Sequence, residues 1–366
     1  MLAIFSSRRR PSAGVTLLAL AATLLTLLVS PAAAATKIRN GADPTIMKIG
    51  DTYYSAESAG GGIHVRRAKS LLGLGASDVD RKRVWADSAG LGDVWAPEIA
   101  VGDDDGRTYI YFSAGQSAAH RMYAIAADEP YGDYTPATKV ALPDDQWAID
   151  GAPFTFEGQR YFVWSGWRDS TTGGVEQNLY ICRMASATRS TGARFIISQP
   201  REPWEQGSGR PLINEGPQPI VDPNGQLHIA YSANGSWESK YCIADLRLRK
   251  GGDPTYVWDW YKSNGCLFGS RQVDMMQGWD ATLQVDGPGH HTWVLDGGVV
   301  GNGTIPNSGN RKEFVFHGVP KGTPYSWDNR QWFTGSYVWW GPQIAYSRAN
   351  VPGDNVNKGW SFKFFE

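Results

Sequence analysis

One pattern recurs five times along the chain, and it limits the possible folds more than any other feature. Each copy opens on a proline flanked by an acid, Gly or Ala. It runs through apolar residues and a turn, and closes on an aromatic strand that often ends in Ser. The copies begin at Ala42-Asp43-Pro44, Ala96-Pro97-Glu98, Gly151-Ala152-Pro153, Glu215-Gly216-Pro217 and Gly287-Pro288-Gly289. Their second halves include Tyr109-Ile110-Tyr111-Phe112-Ser113, Tyr161-Phe162-Val163-Trp164-Ser165 and His228-Ile229-Ala230-Tyr231-Ser232. The prolines fall at intervals of roughly 50 to 70 residues, the range of a propeller blade with long loops. Hairpin signals separate the two halves, as in Ile49-Gly50-Asp51, Asp104-Asp105-Gly106, Glu157-Gly158 and Pro223-Asn224-Gly225. No amphipathic helical run of good length interrupts them. The sequence therefore predicts an all-β chain folded as a five-bladed β-propeller over residues 36–366. The competing architecture, a pair of β-sandwiches, would make five matched copies an accident.

Residues 1–35 stand apart from this pattern. Arg8, Arg9 and Arg10 precede an apolar run over residues 15–29, and Pro31 with an alanine run follows. That order is a secretory signal with a small-residue cleavage site near Ala34 or Ala35. The alternative is an uncleaved anchor, for which the apolar run is short. The chain is expected to be secreted and extracellular, with no membrane contact after cleavage. Net charge is −1, from 35 Lys+Arg against 36 Asp+Glu, which argues against nucleic acid as a partner. Three cysteines are too few for a disulfide scaffold. Cys242 and Cys266 are near enough in sequence to pair, which would leave Cys182 a buried free thiol. With 16 Trp and 16 Tyr, the chain has rings to spare for stacking on sugars.

The repeat also localises the chemistry. The first strand of each propeller blade lines the central channel. Asp43, Asp150 and Glu215 lie just upstream of a repeat proline, and Glu98 and His290 just after one. Different blades thus aim carboxylates and a histidine at one axial point. Like charges gathered in a pocket split their pKa values, so one carboxyl stays protonated beside an ionised neighbour. Glycosidic hydrolysis needs that pair: one group protonates the leaving oxygen, the other activates water or attacks carbon. Asp103, Asp104 and Asp105 form an acidic hairpin tip without an EF-hand pattern, a solvated loop or a calcium site. No HExxH, paired CxxC, Walker loop or GxSxG elbow is present.

Asp43 in NGADPTIM, Trp95-Ala96-Pro97-Glu98 in DVWAPEI, Asp150 in AIDGAPF and Glu215 in INEGPQPI resemble the ordered motifs of glycoside hydrolase family 43. Further stretches resemble it too, among them His120-Arg121-Met122-Tyr123 and Gly287-Pro288-Gly289-His290. The pattern looks most like the branch containing exo-acting α-1,5-L-arabinofuranosidases, and it runs over residues 40–317. The resemblance implies a five-bladed propeller and inverting hydrolysis. Asp43 would be the general base and Glu215 the general acid, with Asp150 raising the pKa of Glu215 and orienting it. An inverting pair stands roughly 6.5–9.5 Å apart, leaving room for a water. His290 would sit near the channel floor and hold an ion or its water shell; its alternative is a packing histidine. Trp95 and Phe112 would wall the terminal sugar site or pack between blades.

The expected substrate is an arabinose-containing plant polysaccharide or oligosaccharide, cleaved at a terminal α-L-arabinofuranosyl residue by a monomer. No cofactor is required for that chemistry, although calcium or another ion has a structural place in the channel. Two rivals share the motifs: an endo-arabinanase or β-xylosidase on the same fold, and a sugar-binding propeller without catalysis. The last copy departs from the family pattern at Phe316-His317-Gly318. Residues 299–310, rich in Gly and Asn, are expected to form a long loop, and an aromatic tail with Trp332, Trp339 and Trp340 to complete the last blade.

Overall fold

Strands fall into five antiparallel groups, one per sequence repeat. The computed structural model describes residues 35–170, 175–270, 283–297, 311–349 and 356–366. Residues 1–34 of the expected leader and the expected loop at 299–310 lie outside the described residues. The first group is Ile46–Ile49, Thr52–Ser58, Gly62–Ala68 and Asp80–Ala86, and the second is Asp93–Val101, Thr108–Gly115, Arg121–Ala127 and Thr138–Lys139. Each of these makes its own four-stranded sheet. The third is Ala148–Phe156, Gln159–Gly166, Glu176–Ser186 and Arg189–Ser198. The fourth is Leu212–Val221, Leu227–Ala233, Cys242–Leu248 and Trp260–Lys262, with Phe268–Gly269 on its third strand. The fifth is Val285–Trp293, Lys312–Pro320, Gln331–Arg348 and Val356–Phe365.

The last three groups share one hydrogen-bonded path. A parallel contact (Glu176 with Leu212, Gln177 with Ile213) joins the third to the fourth. An antiparallel one (Tyr261 with Arg348, Lys262 with Ser347) joins the fourth to the fifth. The N-terminal strand Lys37–Asn40 does not join the first group. It pairs with Gln331–Arg348 of the last.

The turns follow the residues that prompted them. Phe156 pairs with Gln159 across Glu157-Gly158, both at positive φ (49° and 77°). Two such residues give the primed turn that matches the twist of the flanking strands. The inner strands are buried on both faces rather than alternately: every residue of Leu227–Ala233 and Cys242–Leu248 is buried. A sheet sandwiched between two others has no solvent face, so its strands read as continuous apolar runs. Helical structure among the described residues is confined to short 3-10 turns.

The core lies between the groups. One cluster joins Met47, Ile63 and Val65 of the first to Ile110, Phe112 and Ile125 of the second. Others join the second to the third through Tyr111 and Phe162, the third to the fourth through Val163 and Tyr231, and the fourth to the fifth through Ile243 and Phe314. A fifth joins the last group to the first, with Val315 and Trp332 packed on Ile46, Leu71 and Leu74. Fully burying one such aliphatic or aromatic side chain contributes roughly 1.5–3 kcal/mol. Cys242 and Cys266 form a disulfide with a Cα–Cα distance of 5.9 Å, and Cys182 is a buried free thiol.

Candidate active site

A backbone device recurs where each first strand begins. Asp43, Ala96, Asp150, Gly216, Gly287 and His290 adopt positive φ, between 41° and 56°. In the second to fifth groups the pairing of the first strand slips at this place: between Trp95 and Glu98, Ile149 and Ala152, Glu215 and Gln218, and Asp286 and Gly289. A bulge re-aims the side chains beside it. A non-glycine residue held in this region costs about 1–3 kcal/mol, which surrounding structure must offset, and such residues gather at functional sites.

The re-aimed side chains meet. His290 Nδ1 lies 3.2 Å from Asp43 Oδ1 and 3.8 Å from Asp150 Oδ2. The Gly216 N–H donates to Asp150 Oδ2 at 3.0 Å, which sets Asp150 against the residue following Glu215. The fifth group contributes His290, the fourth Glu215, the third Asp150, and the turn before the first group Asp43. The last group holds that turn: the Asp43 N–H donates to His317 Nδ1 at 3.0 Å, Trp332 Nε1 donates to the Ala42 carbonyl, and the Gly41 N–H donates to the Arg330 carbonyl.

These surroundings treat the carboxyls differently. Burial alone would raise the Asp43 carboxyl. The imidazole of His290, the His317 ring and the Arg330 guanidinium at 3.9 Å outweigh it and hold Asp43 well below the ordinary carboxylate range. Burial pushes Asp150 and Glu215 up, and charge repulsion adds to it, from Asp43 on Asp150 and from Asp150 on Glu215. The Tyr241 hydroxyl donates to Glu215 Oε1 at 2.9 Å and moderates that rise. The cluster therefore keeps Asp43 ionised while the Asp150–Glu215 pair retains a proton.

Glu98 accepts from Gln218 Nε2 at 3.2 Å, tying the second group to the fourth. Burial pushes its carboxyl up to about 7. His291, next to His290, packs on Trp293 and Phe314 and is held down to about 3 by burial. His290 is thus the histidine that faces the acids.

Trp95 stands beside Asp43 in a cavity of about 320 Å³, with 43% of its surface exposed and one face stacked on His120 at 3.9 Å. Phe112 requires a correction. It is wholly buried, packed on Trp85 and Tyr123 in the core between the first two groups, and cannot touch a sugar. Its strand is buried on both faces, so a large ring there fills space. Trp164 is likewise core, whereas Trp237 is 38% exposed.

Among the described residues no three His, Cys, Asp or Glu side chains are arranged to hold an ion. Nδ1 of His290 is engaged with Asp43. The donor set does not fit a directly bound metal. In the acidic hairpin tip, Asp103 and Asp104 pair with Arg160, and Asp105 accepts from the Tyr109 hydroxyl.

The sequence reading missed Tyr241, Arg330 and the site role of His317. None stands in the proline-centred part of a repeat. A weak signal existed in Gly289: a Cβ there would lie 2.1 Å from the Tyr241 ring, so the glycine makes room for the tyrosine.

A model of glycosyl hydrolases family 43 matches residues 37–298. An α-L-arabinofuranosidase 43 of Humicola insolens is 28% identical over 265 residues, which are 69% of this chain and 51% of that protein. The chain thus spans about half the length of that relative. A solved α-L-arabinofuranosidase from Lactobacillus brevis is 25% identical with a TM-score of 0.66, over 91% of this chain and 98% of that one. A thermostable family-43 glycoside hydrolase has the same fold, with a TM-score of 0.65 at 20% identity over 88% of this chain and 100% of that one.

Proposed function

This chain belongs to family 43 of the glycosyl hydrolases, and we propose that it is a glycosidase that releases terminal α-L-arabinofuranosyl residues, with inversion at the anomeric carbon, from arabinan, arabinoxylan or arabino-oligosaccharides. The observation that carries the mechanism is geometric: Asp43 and Asp150 meet at His290, and Asp150 sits against the backbone beside Glu215, in surroundings that favour ionised Asp43 and raise Asp150 and Glu215. Asp43 takes the proton of the attacking water. Glu215 gives its proton to the leaving oxygen. Asp150 repels the ionised form of Glu215 and so keeps it charged with a proton until the bond breaks. His290 is a positioning residue that holds Asp43 against the third and fifth groups.

The five groups close as a five-bladed propeller in this reading. The cyclic order of the core clusters supports it, and so does the pairing of Lys37–Asn40 with the last group. Trp95 offers the sugar a ring face beside Asp43. Export of the chain accords with the Cys242–Cys266 disulfide, since such bonds persist in oxidising compartments.

Chromatography of products from linear 1,5-α-arabinan over a time course, with Glu215→Gln alongside, tests the proposal. Free arabinose from the first time point, absent with the variant, is the expected result. An early ladder of oligosaccharides would replace exo with endo action. Products from xylo-oligosaccharides alone would replace arabinose with xylose.

A further inference from the structure

The cavity that holds Asp43 and Trp95 carries a charge arrangement for which the hydrolysis has no use. Arg39, Arg66 and Arg81 line it together with Glu57. Glu57, 6% exposed, pairs with all three: with Arg39 Nη1, with Arg66 Nε at 3.2 Å and with Arg81 Nε. Arg330 lines the same space near Asp43, so four guanidiniums and two carboxylates face one cavity of about 320 Å³. Among the described residues Glu57 is the only carboxylate in ion-pair range of Arg39, Arg66 or Arg81. One carboxylate cannot neutralise three guanidiniums that stay charged at any working pH. Tying these strands together needs one such pair. Burial lowers the Arg39 pKa, and Arg66 and Arg81 add to that, so the surplus charge has a cost that an incoming anion would relieve.

We propose that this wall binds a carboxylate borne by the substrate, namely a uronic acid residue in the chain whose terminal sugar meets Asp43 and Glu215. Guanidinium forks take carboxylates in bidentate pairs, and Arg81, at 36% exposure, is the most accessible of the three. The shared cavity places acidic sugar and reacting sugar in one ligand. The identity of the reacting sugar rests on the function proposed above; the preference for negative charge does not.

Calorimetric titration of the full chain carrying Glu215→Gln separates the two claims, because it needs no turnover. The probes are a uronic-acid-bearing arabino-oligosaccharide and its methyl ester, which has nearly the same shape without the charge. The acid is expected to bind at least tenfold more tightly than the ester, an advantage that 0.5 M salt erodes. Adding Arg81→Gln should bring the ratio near one, and Arg81→Lys should restore part of it, with thermal unfolding confirming that both fold. Equal binding of acid and ester would overturn the proposal. So would inorganic phosphate displacing the uronate at equal concentration, which would leave only a general anion site. Failure of wild type to cleave neutral arabinan would sink the arabinofuranosidase reading while leaving a measured charge preference intact.

Discussion

Replacing Tyr241 with Phe removes one oxygen from the site and keeps its packing. The ring lies over Gly289 and stacks with His317 at 5.6 Å, contacts that Phe retains. What is lost is the 2.9 Å hydrogen bond to Glu215 Oε1. Such a bond contributes about 1.5–3 kcal/mol to a charged acceptor and about 0.5–1.5 kcal/mol to a neutral one. Its loss therefore disfavours ionised Glu215 over the protonated form by about 1 kcal/mol. At 1.36 kcal/mol per unit, the Glu215 pKa rises further, by about half a unit to one unit. In the proposed mechanism Glu215 is the general acid and works only when protonated, so activity falls as pH climbs through that pKa. The alkaline limb of kcat/KM should therefore move to higher pH in Tyr241→Phe. The assay is a pH profile on an arabino-oligosaccharide. A limb that stays put, or moves to lower pH, would refute the reasoning that Tyr241 acts on the protonation of Glu215.

Three further outcomes follow from the same structure. The half-buried Glu98 carboxyl, raised to about 7, binds a proton more tightly folded than unfolded, so Glu98 should contribute a loss of about 3 kcal/mol of stability as pH rises from about 4.5 through 7. Glu98→Gln should lack that loss in urea titrations; parallel pH dependence in the two proteins would contradict it. Gly289→Ala puts a methyl into the Tyr241 ring. It should destabilise by about 1–3 kcal/mol and shift the alkaline limb in the same direction as Tyr241→Phe, and an unshifted limb would mean that Tyr241 does not move. Opening the Cys242–Cys266 link as a double Ala variant frees a short loop, with a separation of 24 residues. A loss of about 3 kcal/mol by denaturant midpoint is expected, and an unchanged midpoint would show the bond to be dispensable.

The three acids were legible because the repeat marks first strands, and a residue at a first-strand start needs no long-range information to be placed. Asp also tolerates left-handed backbone better than most side chains, and Gly adopts it freely, so Asp43, Asp150 and Gly216 agreed with their local geometry in advance. Ala96 gave no such hint. Arg330 and His317 reach Asp43 only because the last group packs against the first, a contact between opposite ends of the chain that no local pattern encodes. Phe112 was misplaced for a related reason. Strand alternation would put one of Tyr111 and Phe112 on an open face, but sheets covered on both sides have none. The cavity arginines escaped notice because each sits on a different strand or turn, and only folding brings them to Glu57.

The assignment of base and acid is tested most directly by varying the leaving group. Asp43→Asn and Glu215→Gln should be compared on an arabino-oligosaccharide and on 4-nitrophenyl α-L-arabinofuranoside, whose leaving group departs without protonation. Glu215→Gln should lose about a thousandfold in kcat/KM on the oligosaccharide and less than about tenfold on the aryl substrate. Asp43→Asn should fall by a similar large factor on both, because both need the activated water. Equal losses on the two substrates for Glu215→Gln, or none, would contradict the account.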